Sequence, residues 1–466
     1  MEAFWTKFIA DFAATVWGTP LLVLVLGGGL YFAVFSRLIP FRYLRHAILI
    51  TIGKYDGEDD PGDITHFQAL CSALASTVGV SNISGVAIAI VTGGPGAIFW
   101  MWICALVGMS TKFFTCTLSI LYRGKDDAGH LQGGIMYVIT EGLGPKFRPL
   151  AVFFSIAGLF GCLVLFQANQ LTQIIRDQIY VPRGWFMGST MQVHLGNALV
   201  GFVSLGLVSS VIFGGIKRIG VVASKMVPLM VVLYLLMGLL IVLKNVAAIP
   251  EMFRLIFGDA FTGNAVAGGA VGTVIQTGVR RAAFSNEAGI GTETLAHGAA
   301  KTKEPVREGL VAMMGPFIDT IVVCSITAFA ILSTGVWKTT ESSGITVTSQ
   351  AFALALPGLG SYLLLLCAFT FGLSTMIGYS YYGAKCSGFL FGTKSKKYYN
   401  IFYIVTIILG AMASLDTVVN FLDSMFALMA VPTVVATVIL SPKVMKAARD
   451  YFKRLRPITG DLEQTD

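Results

Sequence analysis

Two apolar stretches of bilayer length carry the same helix-breaking sequence, and that pairing constrains the fold of this chain more than anything else in it. The first reads Ala75-Ser76-Thr77-Val78-Gly79-Val80-Ser81-Asn82-Ile83-Ser84-Gly85, the second Ala283-Phe284-Ser285-Asn286-Glu287-Ala288-Gly289-Ile290-Gly291. Each holds Ser-Asn-x-x-Gly, and the two lie about two hundred residues apart. Gly, Ser and Asn interrupt helices because they favour turns and offer hydrogen bonds that compete with the helical ladder. Unwound backbone survives at membrane depth only where protein or a water-filled cavity satisfies it. Paired interruptions in corresponding places of two halves point to the substrate and ion site of a secondary transporter.

Hydrophobic residues make up 55% of the chain and charged residues 12%, about half the charged share of a soluble domain. Apolar runs predict an all-α membrane protein with eleven spans at 15–37, 67–92, 96–122, 150–171, 196–215, 221–244, 264–288, 306–334, 358–386, 400–415 and 417–440. We read one transmembrane domain: an extra helix at 15–37, a first repeat at 67–244, a second repeat at 264–440, and a basic tail at 441–466. Each group of five spans opens with an interrupted helix. An odd number of spans per group inverts the second relative to the first. The net charge of +8 suggests nucleic acid, but its distribution excludes that reading: 24 of 33 Lys and Arg fall on the side of the carboxyl terminus. By the positive-inside rule the amino terminus is outside and the carboxyl terminus cytoplasmic, in a cell membrane. Residues 1–14 read as an interfacial helix rather than a signal peptide. The seven cysteines fall within spans without metal-type spacing, as packing residues.

In an unwound helix, amides around Ser81 to Ser84 favour a carboxylate through the local dipole. Carbonyls around Ala75 to Val78 favour a cation such as sodium. Gly79 and Gly85 also read as close-packing positions between helices. Gln167 lies deepest among the amides ending the fourth span, able to reach a substrate or simply to solvate a helix end. Thr375 and Tyr379 stand one turn apart on one face, while Tyr381 and Tyr382 read as interfacial belt residues. Charges at depth are functional candidates. Glu287, with Arg280 and Arg281 before it, suggests an internal ion pair or gate, or a cap on the next half-helix. Asp319, beside Pro316, suits a proton relay or a packing hydrogen bond. Lys112 is expected to snorkel, and His66 and His297 to lie in or near cytoplasmic loops. No nucleotide-binding loop is present, so the energy must come from an ion gradient or the substrate's own.

The chain also resembles the alanine/glycine–cation symporters, often called sodium:alanine symporters. The resemblance is carried by Phe67-Gln68-Ala69-Leu70, Asn82-Ile83-x-Gly85-Val86-Ala87, Gly93-Gly94-Pro95-Gly96-Ala97, Phe99-Trp100-Met101-Trp102, Phe284-Ser285-Asn286-Glu287-Ala288-Gly289-Ile290-Gly291, Phe317-Ile318-Asp319-Thr320 and Ser374-Thr375 with Gly378. It implies a leucine-transporter-type fold and sodium-coupled uptake of small neutral amino acids, with sodium as the co-transported ion. The implied substrate site is Gly79, Ser81, Asn82, Gln167, Phe284, Ser285, Asn286, Thr375 and Tyr379. The implied sodium ligands are carbonyls of Ala75 and Val78 with hydroxyls of Ser374 and Thr375. The chain departs from the pattern at Val80 and Ser81, where the family has Thr-Gly, at Tyr379, where it tends to have Trp, and at Ile135-Met136-Tyr137-Val138, where it usually has Pro-Ala-Tyr-Tyr. One site-facing hydroxyl is worth roughly 1 kcal/mol, enough to retune substrate preference.

The expected activity is therefore import of a small neutral amino acid with sodium by alternating access. Proton coupling, ion-independent exchange, a channel or a non-transporting membrane sensor are the alternatives. A membrane enzyme is not expected, since no His, Cys or carboxylate cluster has catalytic spacing. The partners are the amino acid and the lipid bilayer, with no nucleic acid or obligate protein.

Overall fold

The computed structural model describes residues 2–57, 59–262 and 271–460. Most of them lie in helices: α1 (Glu2–Val16), α2 (Thr19–Phe35), α3 (Leu44–Thr51), α4 (His66–Thr77), α5 (Ser81–Gly93), α6 (Gly96–Leu121), α7 (Pro145–Arg183), α8 (Thr190–Ile212) and α9 (Gly215–Lys244). The second half holds α10 (Ile249–Thr262), α11 (Val271–Asn286), α12 (Glu293–His297), α13 (Pro305–Thr334), α14 (Ile345–Ala355), α15 (Gly360–Phe391), α16 (Ser395–Met412) and α17 (Leu415–Gly460). The one sheet among the described residues is a hairpin pairing Gly124–Lys125 with Leu131–Gln132.

Seven of these helices are long and apolar enough to cross a bilayer, and nine spans result when α1 with α2 and α4 with α5 each count as one bent span. Helix ends follow local chemistry. Thr65 and Gln68 form a capping box at the start of α4, with Gln68 N donating to Thr65 Oγ1 (3.2 Å) and Thr65 N to Gln68 Oε1 (3.1 Å). Pro305 opens α13 and Gly335, at φ 69°, closes it.

The expected seventh span begins in 264–270, which lies outside the described residues; its described part is α11. The tail boundary at 440 is not marked by a break. α17 continues through it for 46 residues in all, because the Lys, Met, Ala and Arg after Pro442 are good helix formers whatever their charge. Residues 461–466 lie outside the described residues. Four of these helices had no counterpart in the apolar pattern: α3, α10, α12 and α14.

Lipid is as apolar as Leu, so helices in a bilayer associate through close packing at small residues. A side chain at Gly278 of α11 would meet the Ala97 carbonyl at 2.6 Å, and one at Gly309 of α13 would meet that of Phe113 at 2.6 Å. Both contacts hold α6 tightly against the second half. The opposite faces of α8 and α9 expose Phe202 and Leu229, 60% and 72% accessible, a large apolar surface of the kind a bilayer covers. Inside this shell are acids and bases that lipid would not tolerate: Arg281, Glu287, Glu293, Asp319 and Asp423 are all buried.

Candidate functional site

The first interruption separates α4 from α5, which are bent by 51°. The helix ends at Thr77, and Val78 is extended (φ −75°, ψ 92°). The Asn82 side chain turns back to accept the Gly79 amide at 2.8 Å, while the Asn82 amide donates to the Gly79 carbonyl at 3.0 Å. That reciprocal pair closes the break without the helical ladder. The helix resumes with a π-type turn over Ser81–Gly85. The Asn82 and Ile83 carbonyls are taken by hydroxyls of Thr327 (2.8 Å) and Thr348 (2.9 Å). Gly79 must be glycine, because a Cβ there would run into Thr375 Oγ1 of α15.

The second interruption follows α11. Glu287, Gly289 and Gly291 take positive φ values of 58°, 87° and 97°, a left-handed run that suits glycine and strains glutamate. Asn286 Oδ1 accepts the Ala288 amide (3.0 Å), and its Nδ2 donates to Thr320 Oγ1 (3.0 Å). The buried Glu287 carboxylate accepts hydroxyls from Tyr379 of α15 and Thr292.

These breaks face each other. Asn82 Nδ2 donates to Ser285 Oγ (3.1 Å) and to Asp319 Oδ1 (2.7 Å), and Ser285 and Thr320 each donate to Asp319 Oδ2 at 2.7 Å. Asp319 thus sits where α5, α11 and α13 converge. A π-type stretch over Phe317–Cys324, just after Pro316, interrupts the α-helical ladder of α13 at this point. Beside the junction, Phe284 packs edge-on to Phe166 (centroids 5.0 Å apart) and against Phe426 (5.6 Å). Gln167, next to Phe166, is 2% exposed and its Oε1 has no hydrogen-bond partner. Ser374 Oγ lies 3.4 Å from the Ala75 carbonyl, and Thr375 Oγ1 bonds to Phe371 O at 3.1 Å. The Ala75 carbonyl near the end of α4 therefore adjoins the Ser374 hydroxyl of α15, neutral oxygens of the kind a monovalent cation accepts. Val78, one residue past the end of α4, is buried.

Several expectations need correction. Arg281 does not pair with Glu287. Its guanidinium and that of Arg280 (2.5 Å) both reach Asp423 of α17, and Arg281 also covers the Phe284 ring at 5.0 Å. The left-handed turn carries Glu287 away from α11 toward Tyr379. Lys112 does not snorkel, because α6 is enclosed by α11 and α13; it is 1% exposed. His66 and His297 stand at helix ends next to connecting segments, as the first residue of α4 and the last of α12, but not in the open. Both are buried and share Glu308 of α13, with His297 Nδ1 2.5 Å from Glu308 Oε1 and His66 on the other oxygen. Tyr382 is buried against Tyr379 rather than at an interface. Asp423 and Glu308 carried no motif. Their one signal was an acid at membrane depth in a chain whose bases at depth needed partners.

The sequence profile of the sodium:alanine symporter family matches residues 1–463. The chain belongs to that family. It is 38% identical over 444 residues to the sodium/alanine symporter AgcS of Methanococcus maripaludis, covering 94% of this chain and 95% of the relative. It is 40% identical over 448 residues to an uncharacterized transporter of Haemophilus influenzae, covering 95% of each. A probable sodium/glutamine symporter of Bacillus subtilis, GlnT, is 32% identical over 448 residues, covering 94% of this chain and 89% of the relative. Among solved structures, MhsT in complex with L-phenylalanine matches with a TM-score of 0.57 at 12% identity, covering 80% of this chain and 89% of that one. That likeness shows a shared fold. This member of the sodium:alanine symporter family is thus a multi-pass membrane transporter and not an enzyme.

Proposed function

We propose that the protein imports a small neutral amino acid together with sodium by alternating access. The observation that carries this reading is the meeting of two broken helices through Asn82, Ser285 and Asp319, beside the unpartnered amide oxygen of Gln167. The substrate carboxylate binds at the amides opening α5, where the helix dipole is positive. The substrate ammonium goes to Gln167 Oε1, a buried acceptor that otherwise carries an unmet desolvation penalty. Gly79, Ser81, Phe284, Ser285, Asn286, Thr375 and Tyr379 complete the walls. Sodium takes the Ala75 and Val78 carbonyls with the Ser374 and Thr375 hydroxyls, tying α4 to α15.

The topology we propose has eleven spans, the first followed by a five-plus-five inverted repeat over 67–244 and 264–440. The amino terminus is outside and the carboxyl terminus cytoplasmic, as the 24 to six split of basic residues supports. Opening toward the outside parts the Arg280 and Arg281 contacts to Asp423 above Phe284. The buried Glu287 and Asp319 carboxylates favour a second reading, in which a proton replaces sodium.

Counterflow of a labelled amino-acid panel in proteoliposomes tests the assignment. We expect uptake of alanine-sized substrates that requires sodium and is lost in Asn82→Ala and Gln167→Ala. Flux that ignores sodium but follows a proton gradient selects the second reading, and normal transport by both variants removes the pocket.

A further inference from the structure

A second polar cavity opens where α7 and α16 end. It measures about 240 Å³ and its walls include Gln173 and Arg176 of α7, Asn197 of α8, and Ser343 and Ser414. None of the residues assigned to the central site lines it. The volume lies below the roughly 300–1,000 Å³ of sites for drug-sized ligands, so it suits a solute of a few heavy atoms.

Two groups in its wall have hydrogen-bonding capacity that the protein does not use. Asn197 is 8% exposed, and its Oδ1 has no partner. A buried amide oxygen without a donor is rare enough to require an explanation. Arg176, about a third exposed, forms a long ion pair with Asp177, its Nε 3.8 Å from Oδ1. Asp177 Oδ2 is meanwhile engaged by the Thr346 hydroxyl at 2.6 Å. The terminal fork of Arg176 has no hydrogen bond among the described residues, and it is the part of arginine whose geometry matches a carboxylate. The facing wall is fixed, since Asn169 Nδ2 holds the Ala413 carbonyl at 2.6 Å beyond the last turn of α16. A fork with no hydrogen-bonded anion and an acceptor without a donor, in one small cavity, call for a molecule bearing both complements.

We propose that this cavity is a second binding site for a small α-amino carboxylate, with its carboxylate on Arg176 and its ammonium on Asn197 Oδ1. The site goes beyond the central one and does not depend on sodium. Ser343 is exposed on its rim and all seven native cysteines are buried, so Ser343→Cys gives a single reactive reporter.

The test measures maleimide labelling of Ser343→Cys in purified protein, without sodium, in a Gln167→Ala background that silences the central site. Alanine and glycine are the probes, with alanine methyl ester and N-acetylalanine as controls lacking one charge each. Labelling should slow with alanine or glycine and not with either control. Arg176→Gln should raise the protecting concentration about tenfold or more, the loss of one charge-assisted bond. Arg176→Lys, which keeps the charge, should raise it less, and Asn197→Leu should weaken protection with an unchanged melting temperature. Absence of protection by either amino acid, or protection unchanged in Arg176→Gln, overturns the proposal. Sodium-driven flux is measured separately, so protection without flux removes the transport reading and leaves this site standing.

Discussion

At Gly79 the fold leaves no room for a methyl group, and the atom that forbids it is the Thr375 hydroxyl assigned to sodium. Gly79→Ala should therefore destabilise by about 1–3 kcal/mol through overpacking and abolish uptake. Adding Thr375→Ala removes the clashing oxygen, so the double variant should recover its melting temperature while sodium-dependent flux stays lost. Recovery of both would show that Thr375 only packs. Gln167 makes the opposite bargain. Its buried oxygen has no partner, so Gln167→Leu should leave stability unchanged or raise it by up to about 1–3 kcal/mol of relieved desolvation, read as an unchanged or higher melting temperature. Uptake should fall to background at the same time, and a stable variant that still transports would move the ammonium elsewhere. Both positions were legible in the sequence, Gly79 as a break in an apolar run and Gln167 as an amide at depth. Their partners were not, because side-chain contacts across two hundred residues leave no local trace.

Elements meet through buried charges, and here the sequence was a poorer guide. Periodicity locates spans and Ser-Asn-x-x-Gly locates breaks, since both are local. The pairing of Arg281 with Asp423 spans 142 residues, and nothing near Arg281 distinguishes that acid from the nearer Glu287. Only the left-handed turn at Glu287 decides it. Removing one partner of a buried pair costs about 3–5 kcal/mol because the other charge is left bare. Asp423→Ala should thus lower stability more than the double variant Arg281→Ala with Asp423→Ala, with a coupling energy above about 1 kcal/mol in a double-mutant cycle. Additive losses would show that the contact is incidental. Outside the membrane, α3 and the residue that caps it hold the far end of α17: His46 Nε2 lies 2.7 Å from the Tyr451 hydroxyl, and Tyr43 stacks on Phe452 at 3.9 Å. Burial, helped by the Arg307 charge, pushes the His46 pKa down to about 4. The unfolded chain therefore binds a proton near pH 6.5 that the folded one refuses. This contribution is complete above about pH 6.5 and is lost as pH falls toward 4. The melting temperature should drop between pH 7 and 5 in the native chain, and by less in His46→Phe.

For the whole molecule, the membrane class was written in composition, but its handedness across the bilayer rests on charge alone. A core that buries Arg281, Glu287, Asp319 and Asp423 while exposing Phe202 and Leu229 fits a bilayer in either orientation. Only the distribution of Lys and Arg breaks that symmetry, since cationic loops stay on the cytoplasmic side. Orientation also sets the sign of the work, because an inward sodium gradient drives import only if the site alternates in the proposed sense. Met187 follows the fourth span and Lys397 follows the ninth, and both are exposed. Five proposed spans separate them, so they must emerge on opposite sides. On intact cells an impermeant maleimide should label Met187→Cys at once and Lys397→Cys only after permeabilisation. The reverse order would invert the transporter and make the same sodium gradient drive export. Labelling of both from one side would show an even number of crossings between them, and the five-plus-five repeat would have to be abandoned while the two meeting breaks remained.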